Sequence, residues 1–153
     1  MRDVLGHFAT GVAVVTTCGN DARPVGLAVN SFSSVSLDPP EILWSIASAA
    51  PSRTAFERHG AFAVNVMPEE DKDRILQFAR PSDNKFDGVP WRRGRCEVPV
   101  LDSAIATLEC DTKQMIPCGD HHIVVGSVRA IDSRDGNPLV FFRGRFTSLG
   151  VTV

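Results

Sequence analysis

Val25-Gly26-Leu27-Ala28-Val29-Asn30-Ser31-Phe32-Ser33-Ser34-Val35-Ser36-Leu37-Asp38-Pro39-Pro40 joins a strand-forming run to a cluster of small polar residues and ends in a double proline. Residues 25–35 have strand-like composition, broken in the middle by Asn30, Ser31, Ser33 and Ser34, and Asp38-Pro39-Pro40 stops the strand because proline donates no ladder hydrogen bond. Upstream, residues 12–17 form a β-branched run that ends at Gly19-Asn20-Asp21, residues that tolerate the left-handed backbone of a hairpin turn. Downstream, residues 41–46 read as the next strand. Residues 52–59 read as a short helix, with Ser52 or Thr54 able to cap it, Glu57 spaced for a capping box with Thr54, and Gly60 beyond its end. Residues 62–67 are strand again. Residues 69–79 form a second helix, acidic at its start and with Ile75, Leu76, Phe78 and Ala79 on an apolar face.

Residues 81–99 are rich in Pro, Gly and charge and read as a loop. Two long strands, 104–115 and 122–131, flank Pro117-Cys118-Gly119-Asp120, and residues 139–143 and 145–149 finish the chain. Strands therefore follow strands, with two or three short helices and no regular strand-helix alternation. The fold expected is mainly β with short helices, an antiparallel barrel. Residues 1–153 contain no repeat, low-complexity tract or linker and read as one domain.

Composition narrows the function. The chain has 153 residues, 43% of them hydrophobic and 22% charged, with 16 Lys plus Arg against 18 Asp plus Glu for a formal charge of -2. That balance produces no field to draw nucleic acid or anionic lipid, and Arg92, Arg93 and Arg95 beside Trp91 read as a solvated surface. No apolar run approaches the roughly 20 residues of a membrane span, and Met1-Arg2-Asp3 does not open a signal-peptide core, so a cytoplasmic protein is expected. Cys18, Cys96, Cys110 and Cys118 have no paired spacing and are expected as thiols. Cys118, His121 and His122 offer potential ligands in one short stretch, but no second pair follows at zinc-site spacing, so a turn is expected there and no metal.

The usual phosphate loop, dinucleotide fingerprint, serine-hydrolase elbow and zinc-protease helix are absent. Small hydroxyl and amide residues are instead concentrated in two places, Asn30-Ser31-Phe32-Ser33-Ser34-Val35-Ser36 and Ser48-Ala49-Ala50-Pro51-Ser52-Arg53-Thr54. The second has hydroxyls and an arginine where a helix begins, which suits an anion such as phosphate, or else Ser52 simply caps the helix. In the first, strand alternation points Ser31, Ser33 and Val35 one way and Asn30, Phe32 and Ser34 the other. One side can bond the edge of a planar heterocycle, or the segment is an edge strand facing water.

Phe8-Ala9-Thr10-Gly11-Val12, Val14-Val15-Thr16-Thr17, the 30–40 stretch and Phe62-Ala63-Val64-Asn65-Val66 together resemble the short-chain flavin reductase family. Phe78-Ala79, Phe86, Trp91, Gly119-Asp120-His121 and the stretch from Pro138 to Phe146 are similar to the same family in the same order, so the likeness covers nearly the whole chain. It implies an FMN-binding split β-barrel, usually a homodimer, that uses NADH or NADPH to reduce FMN or FAD, often for a separate monooxygenase. Carried over by position, Asn30, Ser31, Ser33 and Ser34 match the segment holding the flavin ring. Ser48, Ser52 and Thr54 match the phosphate segment, Phe78, Ala79 and Arg80 match another flavin-contact stretch, and His121 matches the histidine beside the nicotinamide. Trp44 and Cys118 stand where the family commonly has smaller residues.

Overall fold

A computed structural model describes residues 1–150 of the chain. Its main sheet has seven antiparallel strands: β2 (Ala13–Cys18), β3 (Pro24–Val29), β4 (Ser33–Leu37), β5 (Pro40–Ala47), β6 (Ala61–Val66), β9 (Ala106–Cys118) and β10 (His121–Ser133). They hydrogen-bond in the order β3-β2-β6-β9-β10-β5-β4. The two end strands of that order, β3 and β4, are consecutive pieces of one stretch of chain separated only by residues 30–32. That stretch pairs with β2 along its first half, Val29 opposite Ala13, and with β5 along its second, Ser33 opposite Leu43. Seven strands laid flat would be roughly 29 Å across, more than three linking residues can span, so the sheet has to curl until its ends meet. The mainly β, antiparallel architecture expected from the sequence is present as this curled sheet, consistent with a split barrel, and among the described residues β3 and β4 do not pair to close it.

At the split, the Ser31 hydroxyl takes the place of a backbone group. It accepts from the Ser45 amide at 2.9 Å and donates to the Ser45 carbonyl at 3.3 Å, fastening the kink to β5. The regular alternation expected along 30–36 ends at Ser34, because a bulge between Ser34 and Ser36 leaves Val35 as an extra residue. The Asp38-Pro39 peptide bond, in the turn to β5, is cis.

Alternation along each strand divides its side chains between the barrel interior and an outer layer. Ala13 and Val15 of β2, Ile42, Trp44 and Ile46 of β5, Phe62 and Val64 of β6, and Val124 of β10 fill the interior with Phe56 of helix α2 (Arg53–His59). Trp44 meets Phe56 and Phe62 edge-on at centroid distances of 4.9 and 5.7 Å. The place taken by Phe62 requires Gly126, since a Cβ there would lie 2.5 Å from the Phe62 ring and 2.9 Å from Cys110 Cβ. Outside, Val12 and Val14 pack with Ile75 and Phe78 of helix α3 (Lys72–Ala79) and with Met67 and Leu139.

Several elements lie outside the sequence expectation. The 81–99 stretch is not wholly loop: β7 (Trp91–Arg93) pairs with β8 (Pro99–Leu101) as a hairpin. It is docked by buried polar groups, with Glu109 accepting the Cys96 amide at 2.8 Å and Asn65 Oδ1 accepting the Leu101 amide at 2.8 Å. A short helix α1 (Arg2–Leu5) precedes β1 (Thr10–Gly11), which forms a small sheet with β11 (Val140–Phe142) and β12 (Arg145–Thr147). The second helix opens with a 3-10 turn, Glu69–Asp71, before α3.

Asn65 is fully buried and joins three strands, its amide nitrogen reaching the Val14 carbonyl at 2.9 Å and Thr16 Oγ1 at 3.1 Å. Asn65→Ala would leave the buried Leu101 amide without its acceptor and remove the second bond to the Val14 carbonyl. It is expected to lower the unfolding free energy by about 1–3 kcal/mol, the usual cost of a buried group left unpaired. Urea unfolding checks this, and a loss below about 0.5 kcal/mol would show that water replaces the side chain.

Candidate functional site

β5 brings most of the candidate residues together. On one side of it lie β4 and the Ser31 staple. On the other, β10 pairs His121 with Ala47, His122 with Ile46 and Ile123 with Ser45. The β9–β10 turn is the two-residue link Gly119-Asp120, with Gly119 in the left-handed conformation at φ 60. From strand spacing and rise, the Ser31 backbone and the His121 backbone lie roughly 12 Å apart across the end of β5. Residues 48–54 leave β5 at that same end and lead into α2.

The join is made through Asp120. Its carbonyl accepts the Ser48 amide at 2.9 Å, while its carboxylate accepts from His121 Nδ1 at 2.7 Å. The hydrogen bond from His121, and then the charge of that ring, holds the Asp120 carboxyl below the usual carboxylate range. A carboxylate can only accept, so the His121 Nδ1 that faces it carries a proton, and the ring is held with Nε2 turned away from Asp120. His122 faces the other way along the alternating strand and places Nδ1 3.1 Å from Ser48 Oγ.

The helix cap anticipated for α2 is not made. Ser52 has helical backbone angles, φ -75 and ψ -14, and no side-chain cap bond forms. The capping box of Thr54 with Glu57 is replaced by an ion pair of Glu57 with Arg53 at 3.0 Å, one turn apart. The Ser52 and Thr54 hydroxyls have no hydrogen-bond partner among the described residues, and Arg53 Nε donates to the Ser48 carbonyl at 3.2 Å. Three hydroxyls and a guanidinium within seven residues form a donor set of the chemistry that an anionic phosphate needs.

In the ring segment, Asn30, Ser33 and Ser34 are exposed and Ser31 is committed to Ser45. Phe32 packs on the interior core from the kink. The donor set left facing outward, an amide and two hydroxyls, fits the polar edge of a flavin ring. The third stretch is divided. Phe78 is fully buried beneath β3, where a Cβ on Gly26 would come within 2.9 Å of its ring, while Ala79 and Arg80 are exposed at the end of α3. Lys85, which the sequence did not single out, covers that end by donating to the Phe78 and Gly26 carbonyls at 2.9 and 3.3 Å, and its burial lowers its pKa.

All four cysteines are free, and burial pushes the Cys110 thiol up to about 12. Among the described residues no group of three His, Cys, Asp or Glu is arranged to hold a metal, and no helix is long and apolar enough to cross a membrane. A concavity of about 160 Å³ lined by Arg92, Asp132 and Arg134 lies at the opposite end of β9 and β10, roughly 35 Å along the strand from His121.

A family model for the flavin reductase like domain matches residues 5–150. The chain belongs to that family. It is 41% identical over 146 residues to the reductase component of a flavin-dependent trigonelline monooxygenase from Acinetobacter baylyi, covering 95% of this chain and 47% of that protein. A second relative, a probable flavin reductase of Rhizobium meliloti, is likewise matched over 47% of its length, so the chain spans about half of these two relatives. An FMN reductase (NADH) from Agrobacterium fabrum is 40% identical, with 95% of this chain and 82% of that protein covered. Among solved structures, an NADH:FAD oxidoreductase of Streptomyces globisporus superposes with a TM-score of 0.92 at 34% identity, covering 99% of this chain and 87% of the other. The fold of this flavin reductase family member is therefore that of its solved relatives.

If the 48–54 segment holds a flavin phosphate, replacing Ser52 and Thr54 together by Ala should weaken FMN binding by roughly 1–3 kcal/mol and leave riboflavin nearly unaffected. Fluorescence titration with both ligands checks this, and equal losses would contradict the assignment.

Proposed function

We propose that this chain is an NAD(P)H-dependent flavin reductase that works in the cytoplasm as a homodimer and supplies reduced FMN or FAD to a separate monooxygenase. The observation that carries this reading is the Asp120 junction, which fixes His121 and the hydroxyl-rich 48–54 segment to one strand end. The reductase components and the NADH-linked reductases among its relatives support the same direction.

A bound flavin and nicotinamide would supply the hydride chemistry between themselves. The protein's share is to bind, orient and exclude. Asn30, Ser33 and Ser34 offer donors and acceptors to the polar edge of the ring, where negative charge builds on reduction. Ser48, Ser52, Thr54 and Arg53 would hold the phosphate. Ala79 and Arg80 would border the same ligand from the end of α3, with Phe78 buried behind them. His121, on the opposite side of β5 and held by Asp120 through Nδ1, would have its Nε2 free to contact a nicotinamide carboxamide. No nucleophile or triad is needed for a transfer of this kind.

Stopped-flow measurement of NAD(P)H oxidation with and without added flavin tests the whole reading. Turnover that depends on added FMN or FAD is expected. Oxidation with a retained flavin and another acceptor would point to a different reductase, and no oxidation at all to a flavin carrier.

His121→Ala is expected to lower kcat/KM for NAD(P)H by about tenfold or more, equivalent to 1.4 kcal/mol, with flavin affinity nearly unchanged. If His121 merely braces the turn, both ligands and the melting temperature should suffer together; unchanged kcat/KM in a folded variant removes it from the site.

The dimer is supported by apolar surface that one chain leaves open. Met1, Val4, Leu5 and Phe8 fall on one face of α1 and its continuation, and Leu37 at the end of β4 is 92% exposed. Light scattering should return twice the 16.6 kDa of one chain. Removing the residues from Arg145 onward should weaken the association, and a monomer mass across a wide concentration range rules the dimer out.

A further inference from the structure

We propose that His122 is a positioning residue for the flavin phosphate, acting through the hydroxyl of Ser48. The proposal rests on the phosphate reading of residues 48–54 given above. His122 is half-buried and sits between Ile46 of β5 and Pro117 of β9, so its ring is placed by strand register and owes nothing to a ligand. Its neighbour His121 leaves on the opposite face with Asp120, which separates the two histidines into two tasks.

Ser48 is held at three points. Its amide is fixed by the Asp120 carbonyl at 2.9 Å and its carbonyl by Arg53 Nε at 3.2 Å. Those two contacts place the backbone and leave the side chain free to choose among three staggered rotamers. The contact of Oγ with His122 Nδ1, at 3.1 Å, selects one of them. Among the three hydroxyls of the segment, Ser48 is thus the one whose direction is set before a ligand arrives, whereas Ser52 and Thr54 have no such holder among the described residues. A group oriented in advance loses less freedom on binding, and that saving appears in the affinity for the phosphate and not in the hydride step.

The test compares FMN with riboflavin, which lacks the phosphate, in the intact protein. His122→Ala should raise the KM for FMN by about 3- to 10-fold, the range of one hydrogen bond, with kcat and the KM for riboflavin unchanged. His122→Asn, whose amide can occupy the place of Nδ1, should restore the KM to within about twofold. Ser48→Ala should match His122→Ala, and the double variant should be no worse than either single one. If Ser48→Ala raises the KM for FMN alone while His122→Ala changes nothing, the role of His122 is overturned and the phosphate segment stands. If His122→Ala impairs FMN and riboflavin alike and His122→Asn does not restore them, His122 is only a brace for the hairpin. If Ser48→Ala leaves the difference between FMN and riboflavin intact, the phosphate role of Ser48 falls and the proposal falls with it.

Discussion

One strand has to serve two partners. The chain from Pro24 to Leu37 pairs with β2 in its first half and with β5 in its second, and because three residues join the halves, the sheet has no choice but to curl. The point of exchange cannot be regular strand, since its backbone groups turn away from both neighbours. Ser31 resolves this by lending a hydroxyl that both donates and accepts, so that the Ser45 backbone keeps its ladder contacts. A residue with only a donor or only an acceptor would satisfy one of the two. The same kink lifts Asn30, Ser33 and Ser34 to the surface beside β5. Closure of the barrel and exposure of the ring segment are therefore one structural event.

The curled sheet in turn makes both of its faces valuable. β2 and β6 are buried nearly end to end, because the barrel interior takes alternate residues and α3 or the β7–β8 hairpin takes the others. Strands covered on both faces cannot carry exposed ligand groups. The outward-facing chemistry is displaced to the strands and turns that lack an outer layer, namely β4, the end of β5 and the tip of the β9–β10 hairpin. That tip is kept narrow by Gly119-Asp120, and a two-residue turn fixes its flanking residues in register. His121 and His122 consequently inherit their positions from a long paired ladder instead of a loop, which is the rigidity an orienting side chain needs.

Much of this was legible in the sequence. Asp38-Pro39-Pro40, the β-branched run before Gly19 and the long runs around Cys118 are local signals that act within a few residues, and the structure has strands and turns there. The β7–β8 hairpin was not legible, because Trp91-Arg92-Arg93 is too short and too charged to read as strand. It exists through contacts with Asn65 and Glu109, residues distant in sequence. The partner of His122 was hidden for a related reason, since only the register that sets His122 against Ile46 brings its ring to Ser48. The Ser52 cap, by contrast, is a local signal that the structure does not use.

That unused cap bears on how the segment is built. A hydroxyl at this position ordinarily stabilises a helix by about 1 kcal/mol, and both Ser52 and Thr54 were spaced to provide it. Helix α2 instead keeps its place through Phe56, fully buried against Trp44, and through the exposed Arg53–Glu57 pair, which contributes little by itself. Burial of one aromatic ring is worth roughly 1.5–3 kcal/mol, enough to hold seven residues of helix without a cap. With its anchor in the barrel core, the helix does not need its first-turn hydroxyls for its own stability. They stay available, next to an arginine and a pre-oriented Ser48, at the strand end where His121 also projects. A segment whose polar groups are released from structural duty by an apolar anchor meets the main requirement of a binding site, that its donors be paid for elsewhere in the fold.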